Sequence, residues 1–386
     1  MQPRFISLLA FILLAVNLRP ALTGIGPLIS SIQQSTGLSG TALGLLGSFP
    51  LLAFAMFSPL AGLGRRFGLE RAVAVAMILL FVGILIRSIG SVFMLYAGTL
   101  ILAAGIAVGN VLAPSIIKRD YPEKVGTVTT VYALVMALCS SIASGLSVPF
   151  ALYLPGGWRG ALAFWAIPAA AAALLWARAF WQPTSQSPQK DNVKRVSVWR
   201  SPLAWCVTAF TGLQSLYFYV MISWLPMVLE EKGRDPVESG LLLTGFQLVS
   251  LVAGAVLPKL MSMRQDQKWL AISAPVVASL AALGLLALPS LTVLWIVLAG
   301  FGTGLTFPMA IAFIGLRSRD HHEATSLSMM AQSLGYLLAA LGPLLFGSAR
   351  DWTGGWNIPL AGLAIFAVLQ AIMGYYAGAN RTVSQG

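Results

Sequence analysis

The sequence predicts an all-α membrane protein with twelve transmembrane helices in two six-helix bundles related by pseudo-twofold symmetry. Three observations predict it. Of the 386 residues, 58% are hydrophobic and 9% are charged, which is too few charges to clothe a soluble domain of this size. Twelve runs reach the roughly 20 mainly apolar residues that a bilayer-spanning helix needs. The second half of the chain also matches the first at a near-constant offset.

In chain order, the runs begin with 5–32, which carries Arg19 and Pro20 inside it, and 41–63, which follows the glycine-rich turn at Gly37. Run 72–89 ends beside Arg87, expected to snorkel to the outer interface, and 92–117 holds Gly105, Gly109 and Asn110. Run 125–152 carries Tyr132, Met136 and Cys139, and 160–180 closes the first half at Trp181. Residues 182–200, rich in Pro, Ser and Lys, read as a linker. Beyond it come 202–229 with Gln214 and Tyr217, 239–260 with Phe246 and Gln247, and 269–288. The last three are 291–316 with Thr303, Thr306 and Phe307, 324–346 with Met329, Met330, Gln332 and Tyr336, and 358–377. Almost nothing remains for a soluble domain.

The repeat appears on sliding the chain against itself by about 196–200 positions, with the glycine pair of the fourth and tenth runs at 195. Gly37…Gly44-Leu-Leu aligns with Gly233…Gly240-Leu-Leu, Pro27 with Pro226, Pro59 with Pro258, and Gly156-Gly157-Trp158 with Gly354-Gly355-Trp356. Gly105 and Gly109 correspond to Gly300 and Gly304, and this four-residue spacing lets helix backbones approach in lipid. Two copies of one orientation place a solute site at midplane between the halves. The domain expectation is 1–181, a linker at 182–201, and 202–386.

The net charge of +12 is a topology signal rather than a nucleic-acid footprint. With the N-terminus inside, 18 of the 24 Lys and Arg residues, Lys118 and Arg119 among them, fall on cytoplasmic segments. That positive-inside bias puts both termini in the cytoplasm and suits anionic lipid. Trp158, Trp199, Trp269 and Trp356, near run ends, read as an interfacial belt. The first run is too long for a cleaved signal peptide. Cys139 and Cys206 read as free thiols inside helices, with no disulfide or zinc framework.

Arg19 is the most informative residue. A guanidinium at bilayer depth costs at least about 2.5–3.5 kcal/mol, so it should face a water-filled cavity and serve a purpose there. All 12 carboxylates fall in loops or at run ends, so no acidic residue in its own run balances it. A fixed positive charge of this kind suits a small anion or an electron-rich polar solute. On a continuous helix Arg19 shares a face with Val16, Leu22, Thr23 and Gly26, while Asn17 points elsewhere and Pro20 loosens the helix. The other intramembrane polar and aromatic candidates are Asn110, Tyr132, Gln214, Tyr217, Phe246, Gln247, Thr306, Phe307, Gln332 and Tyr336. Together they suit a planar polar solute held by stacking and hydrogen bonds. Arg65, Arg66 and Arg71, on the loop between the second and third runs, read as gating charges.

Several stretches carry a family resemblance. Asn17-Leu-Arg19-Pro20-Ala-Leu-Thr23, Pro114-Ser-Ile-Ile-Lys118-Arg-Asp120, Ser223-Trp224-Leu-Pro226 and Met330-Ala-Gln332-Ser-Leu-Gly335-Tyr336 resemble the cyanate-transporter branch of the major facilitator superfamily. Pro50-Leu-Leu-Ala-Phe-Ala-Met-Phe-Ser58-Pro59 and Trp199-Arg-Ser-Pro202-Leu-Ala-Trp205 look like its 2-nitroimidazole exporter members. The resemblance implies a major facilitator fold and alternating access, with Arg19 as the family's first-helix arginine. Arg65 stands where the superfamily's loop motif usually has an Asp, so gating through that carboxylate does not carry over.

The resulting expectation is a secondary active transporter for a small anionic or polar planar solute, with Arg19 as anchor. Its partners are that solute and membrane lipid, not nucleic acid. No cofactor, metal or ATP site is visible, since the chain has no Gly-rich loop ending in Gly-Lys-Ser/Thr. The expected state is a monomer in a bacterial-type inner membrane. The alternative is a drug/proton antiporter, which needs a titrating group in the cavity, and Asp120 and Glu238 are the nearest carboxylates for that work. An enzyme would need a His–carboxylate pair facing the cavity, and the sequence offers none.

Overall fold

The computed structural model describes residues 2–57, 68–178, 198–264 and 266–383. Every regular element among them is helical. The first span is α1 (Gln2–Asn17), α2 (Pro20–Thr23) and α3 (Ile29–Thr36), with a 3-10 turn at Gly26–Leu28. After it come α4 (Gly40–Phe57), α5 (Leu69–Ser88), α6 (Val92–Asp120), α7 (Val125–Tyr153), α8 (Trp158–Phe164) and α9 (Ala166–Ala177). The chain continues with α10 (Pro202–Glu231), α11 (Pro236–Met261), α12 (Lys268–Ala287), α13 (Thr292–Leu316), α14 (His321–Thr353) and α15 (Asn357–Ala377).

Eleven helical stretches among the described residues are long and apolar enough to cross a membrane, and a twelfth, Gly40–Met56, is shorter. They coincide with the twelve runs of the sequence. Residues 58–63 of the second run and most of the linker lie outside the described residues. Large apolar side chains such as Leu138, Ile142, Leu248, Val252 and Ile365 are exposed, as hydrocarbon permits, because lipid tails are as apolar as leucine.

The chain forms two compact units: Met1–Gly37 with Met56–Lys190, and Leu38–Ala55 with Asp191–Gly386. In the first, α5 and α6 pack through small residues. A Cβ added at Gly98 would lie 2.6 Å from the Arg87 Cβ, so the two helices touch backbone to backbone there. At the other end of this pair, Arg119 of α6 pairs with Glu70 of α5 and, at 2.6 Å, with Asp120. Across the unit, Trp176 Nε1 donates to Ala10 O at 3.0 Å, tying α9 to α1.

In the second unit α10 is buried nearly from end to end, with Phe210, Tyr217 and Trp224 fully enclosed. It meets α14 where a Cβ on Gly212 would be 3.0 Å from Gly335 O. Gly300 brings α13 against α11 in the same way, and the Ser250 hydroxyl lies 2.9 Å from Gly300 O. Beneath these, buried Arg317 donates from Nε to Ala377 O at 2.8 Å and from Nη2 to Gln267 Oε1 at 2.7 Å. Burial holds the Arg317 pKa below its ordinary value, with Asp266 opposing that shift. Leu38–Ala55 also belongs to this unit. The Ser48 hydroxyl donates to Ala340 O at 2.6 Å, and both Asp351 oxygens accept from the first amides of α4.

The structure corrects two expectations about interfacial residues. Trp158 and Trp356 are buried rather than belted, because glycine turns at Gly157 (φ 62°) and Gly354 (φ 68°) fold the chain back onto the helix ends. Arg87 does not snorkel: it is fully buried at the end of α5.

Candidate functional site

Arg19 stands at a break in the first span. Proline removes a backbone N–H and disfavours the helical conformation in the residue before it. Arg19 accordingly has φ −122°, α1 ends at Asn17, and α2 lasts one turn. The expected face of Val16, Leu22, Thr23 and Gly26 therefore does not form, because the break cuts the helical register it assumes.

A break inside a membrane must find donors for its freed carbonyls. Arg19 O accepts from the Leu22 and Thr23 amides at 2.9 and 3.1 Å. Ala21 O accepts from Arg87 Nη1 at 2.6 Å, reaching over from α5. Thr23 O and Gly24 O accept from the Ser144 and Ser147 hydroxyls of α7 at 3.2 and 2.9 Å. Thr23 returns the contact, its hydroxyl donating to Ser140 O at 3.1 Å. Thr23 and Asn17 thus serve the framework: the Asn17 amide donates to Leu13 O and to Pro168 O of α9.

Three predicted residues gather around the break. Arg19 is half-buried and lies within electrostatic range of Tyr132. Tyr132 donates to Asn110 Oδ1 at 3.3 Å. Phe11 places its ring 5.6 Å from that of Tyr132, tilted by 31°. The cluster offers a cation, a phenol, an amide and an aromatic face. Phe11 is missing from the sequence prediction because one Phe in an apolar helix gives no signal.

The second-unit candidates separate into two sets. Tyr217 is buried and donates to Ala278 O at 2.8 Å, bracing α10 against α12. Gln214 is buried and accepts from Ser215, buried Gln247 donates to Leu243 O at 3.5 Å, and Thr306 bonds Thr303 O within its own helix. Phe246 is fully buried beside Phe218, while Phe307 is exposed on α13. Gln332 and Tyr336, one turn apart on α14, are the half-buried pair. Gln332 donates to Ser328 at 2.8 Å, and Tyr336 meets Phe54 of α4 edge-on at 5.4 Å. The structure brings Gln332, Tyr336 and Phe54 together, and keeps Gln214, Tyr217, Phe246 and Thr306 in the packing.

Of the gating candidates, Arg65 and Arg66 lie outside the described residues, and Arg71 is half-buried in the first turn of α5. The two carboxylates nearest to relay positions are engaged elsewhere, Asp120 by Arg119 at 2.6 Å and Glu238 by Arg234 at 2.7 Å.

Residues 8–343 match the family described as Major Facilitator Superfamily. A 2-nitroimidazole transporter of Escherichia coli (strain K12) is 40% identical, covering 98% of this chain and 97% of its own length. The cyanate transport protein CynX of the same strain is 29% identical, with 94% of each chain covered. A solved structure of a bacterial homologue of the human lysosomal transporter Spinster has a TM-score of 0.79 at 18% identity, with 98% of both chains covered.

Proposed function

The chain belongs to the major facilitator superfamily, a family of membrane-spanning transporters and not of enzymes, and on that premise we propose that it is a secondary active transporter of small anionic or polar planar solutes. It works by alternating access of its two halves, 1–181 and 202–386, joined by the linker at 182–201. The observation that carries this reading is Arg19, a half-buried cation at a break in the first span with Tyr132, Asn110 and Phe11 grouped beside it. The guanidinium supplies charge to an anion or a forked pair of hydrogen bonds to a nitro group, and the aromatic faces accept a flat ring.

The names of the relatives fit this chemistry. Cyanate is a small anion and 2-nitroimidazole is a planar polar aromatic, and one guanidinium beside aromatic rings can serve both. The alternative, a drug/proton antiporter, gains no support from Asp120 and Glu238, since each is held in an ion pair. The basic bias of the segments assigned to the cytoplasm supports both termini inside with anionic lipid around the chain, the bacterial relatives fit a multi-pass inner-membrane protein, and the proposed state is a monomer.

The test is a thermal-shift titration of the purified protein against cyanate, nitrate and 2-nitroimidazole. A ligand at 100 Kd stabilises by about 2.7 kcal/mol. Arg19→Ala should abolish the shift from the best ligand while leaving the unliganded melt within about 0.5 kcal/mol of wild type. A retained shift would remove Arg19 from the site. A collapse of the unliganded melt would make it structural.

A further inference from the structure

Building on that reading, we infer that Arg87 is a positioning residue of the solute site, the second cation behind Arg19. It fixes the broken first span through the Ala21 carbonyl and adds its own charge to the field that attracts an anion. Three neighbouring carbonyls of the break find different donors. Thr23 O and Gly24 O are each satisfied by one serine hydroxyl from α7. Ala21 O, two residues from Arg19, is instead satisfied by a fully buried guanidinium from α5. A hydroxyl suffices for the first two, so a cation at the third is not required for hydrogen bonding.

That cation is costly where it stands. Its Nε and Nη2 are buried without a hydrogen-bond partner among the described residues, and a buried charge that is incompletely paired opposes folding. Stability therefore does not account for it, and its position relative to Arg19 does. The base of the side chain is also fixed. Gly98 lies so close that a Cβ there would sit 2.6 Å from the Arg87 Cβ, so α6 holds this part of α5 against displacement. Arg87 thus links a rigid helix crossing to the one irregular turn that carries Arg19. A unit charge lying about 10 Å from an anion across an effective dielectric of about 20 corresponds to roughly a ten- to twentyfold gain in affinity.

The test compares wild type, Arg87→Gln and Arg87→Lys in nanodiscs by two readouts. In binding titrations, Arg87→Gln should weaken cyanate about tenfold and an N-methylated 2-nitroimidazole, which has no ionisable N–H, less than threefold, and Arg87→Lys should recover most of the cyanate loss. In hydrogen exchange, Arg87→Gln should raise the rate for amides in 18–28 about tenfold, leaving α10–α15 unchanged. An equal loss for both solutes, or none, would overturn the electrostatic half. Unchanged exchange at 18–28 would overturn the positioning half. If the wild type binds neither solute, the functional reading above fails on its own, and the exchange readout still decides whether Arg87 positions the break.

Discussion

Replacing Asp351 with alanine should unfasten the first turn of α4. The first amides of a helix have no partner within it, and a carboxylate that accepts from them works as an N-cap. Here the cap comes from another helix. At the end of α14, Asp351 Oδ1 accepts from Gly40 N at 2.8 Å, and Oδ2 accepts from Thr41 N at 2.7 Å and from the Thr41 hydroxyl at 2.8 Å. Gly40 permits this approach, since a Cβ there would lie 2.7 Å from Oδ1. Losing a cap costs about 0.5–2 kcal/mol. Because Asp351 is exposed, the charge adds little beyond the bonds themselves, and we expect about 1–1.5 kcal/mol locally. Amides 40–43 should then exchange about five- to tenfold faster, with a fall in melting temperature of about 1–3 °C. Asp351→Asn, which keeps an acceptor, should show less than half of each effect. A double-mutant cycle with Thr41→Val should return a coupling of about 0.5–1 kcal/mol. Unchanged exchange at 40–43 in Asp351→Ala would refute the argument that this carboxylate holds α4.

Two further outcomes are expected. Gly98→Val should cost more than about 2 kcal/mol, read as a lost melt and poor recovery from membranes, because the added atoms have no space between α5 and α6. Asp120→Asn and Glu238→Gln should leave solute flux in proteoliposomes within about twofold of wild type and create no change in proton movement, since both carboxylates serve ion pairs. Loss of substrate-driven proton flux in either variant would instead favour the antiporter.

The spans and the two-bundle fold are legible because they rest on signals that composition cannot hide, apolar length and a shared offset, and Arg19 stands out as a charge where charges are expensive. The break beside Arg19 was half legible. Pro20 announces loosening, but the one-turn α2 and the 3-10 turn at Gly26–Leu28 depend on donors that only the fold brings near, namely Arg87, Ser144 and Ser147. Arg87 was misread for the same reason. Its place at the end of an apolar run looks interfacial, and nothing local reveals that Gly83 and Gly98 let α6 close over it. Amides and hydroxyls were ambiguous from the start, because Tyr217 bracing α12 and Tyr132 bonding Asn110 have identical sequence signatures. Phe11 and Phe54 gave no signal at all, one aromatic among many apolar residues being indistinguishable from packing.

The repeat sharpens what the two arginines mean. At the offset of 199 that aligns Pro27 with Pro226, Arg19 falls on Phe218, and Arg87 falls on Leu286. Shifting the alignment by a few residues leaves Arg87 opposite leucine, glycine or alanine. The duplication preserves the helices and the glycines that pack them, but the second copy has no cation at the positions of Arg19 and Arg87. Phe218 instead joins an aromatic cluster with Tyr219 and Phe246. The second copy has a buried guanidinium of its own, Arg317, but at the end of a different helix, where it ties α13 to α15 and to Gln267. Arg19 and Arg87 are thus particular to the first copy, while in the second unit half-buried Tyr336 meets buried Phe54 one turn from half-buried Gln332, an amide and aromatic surface without charge.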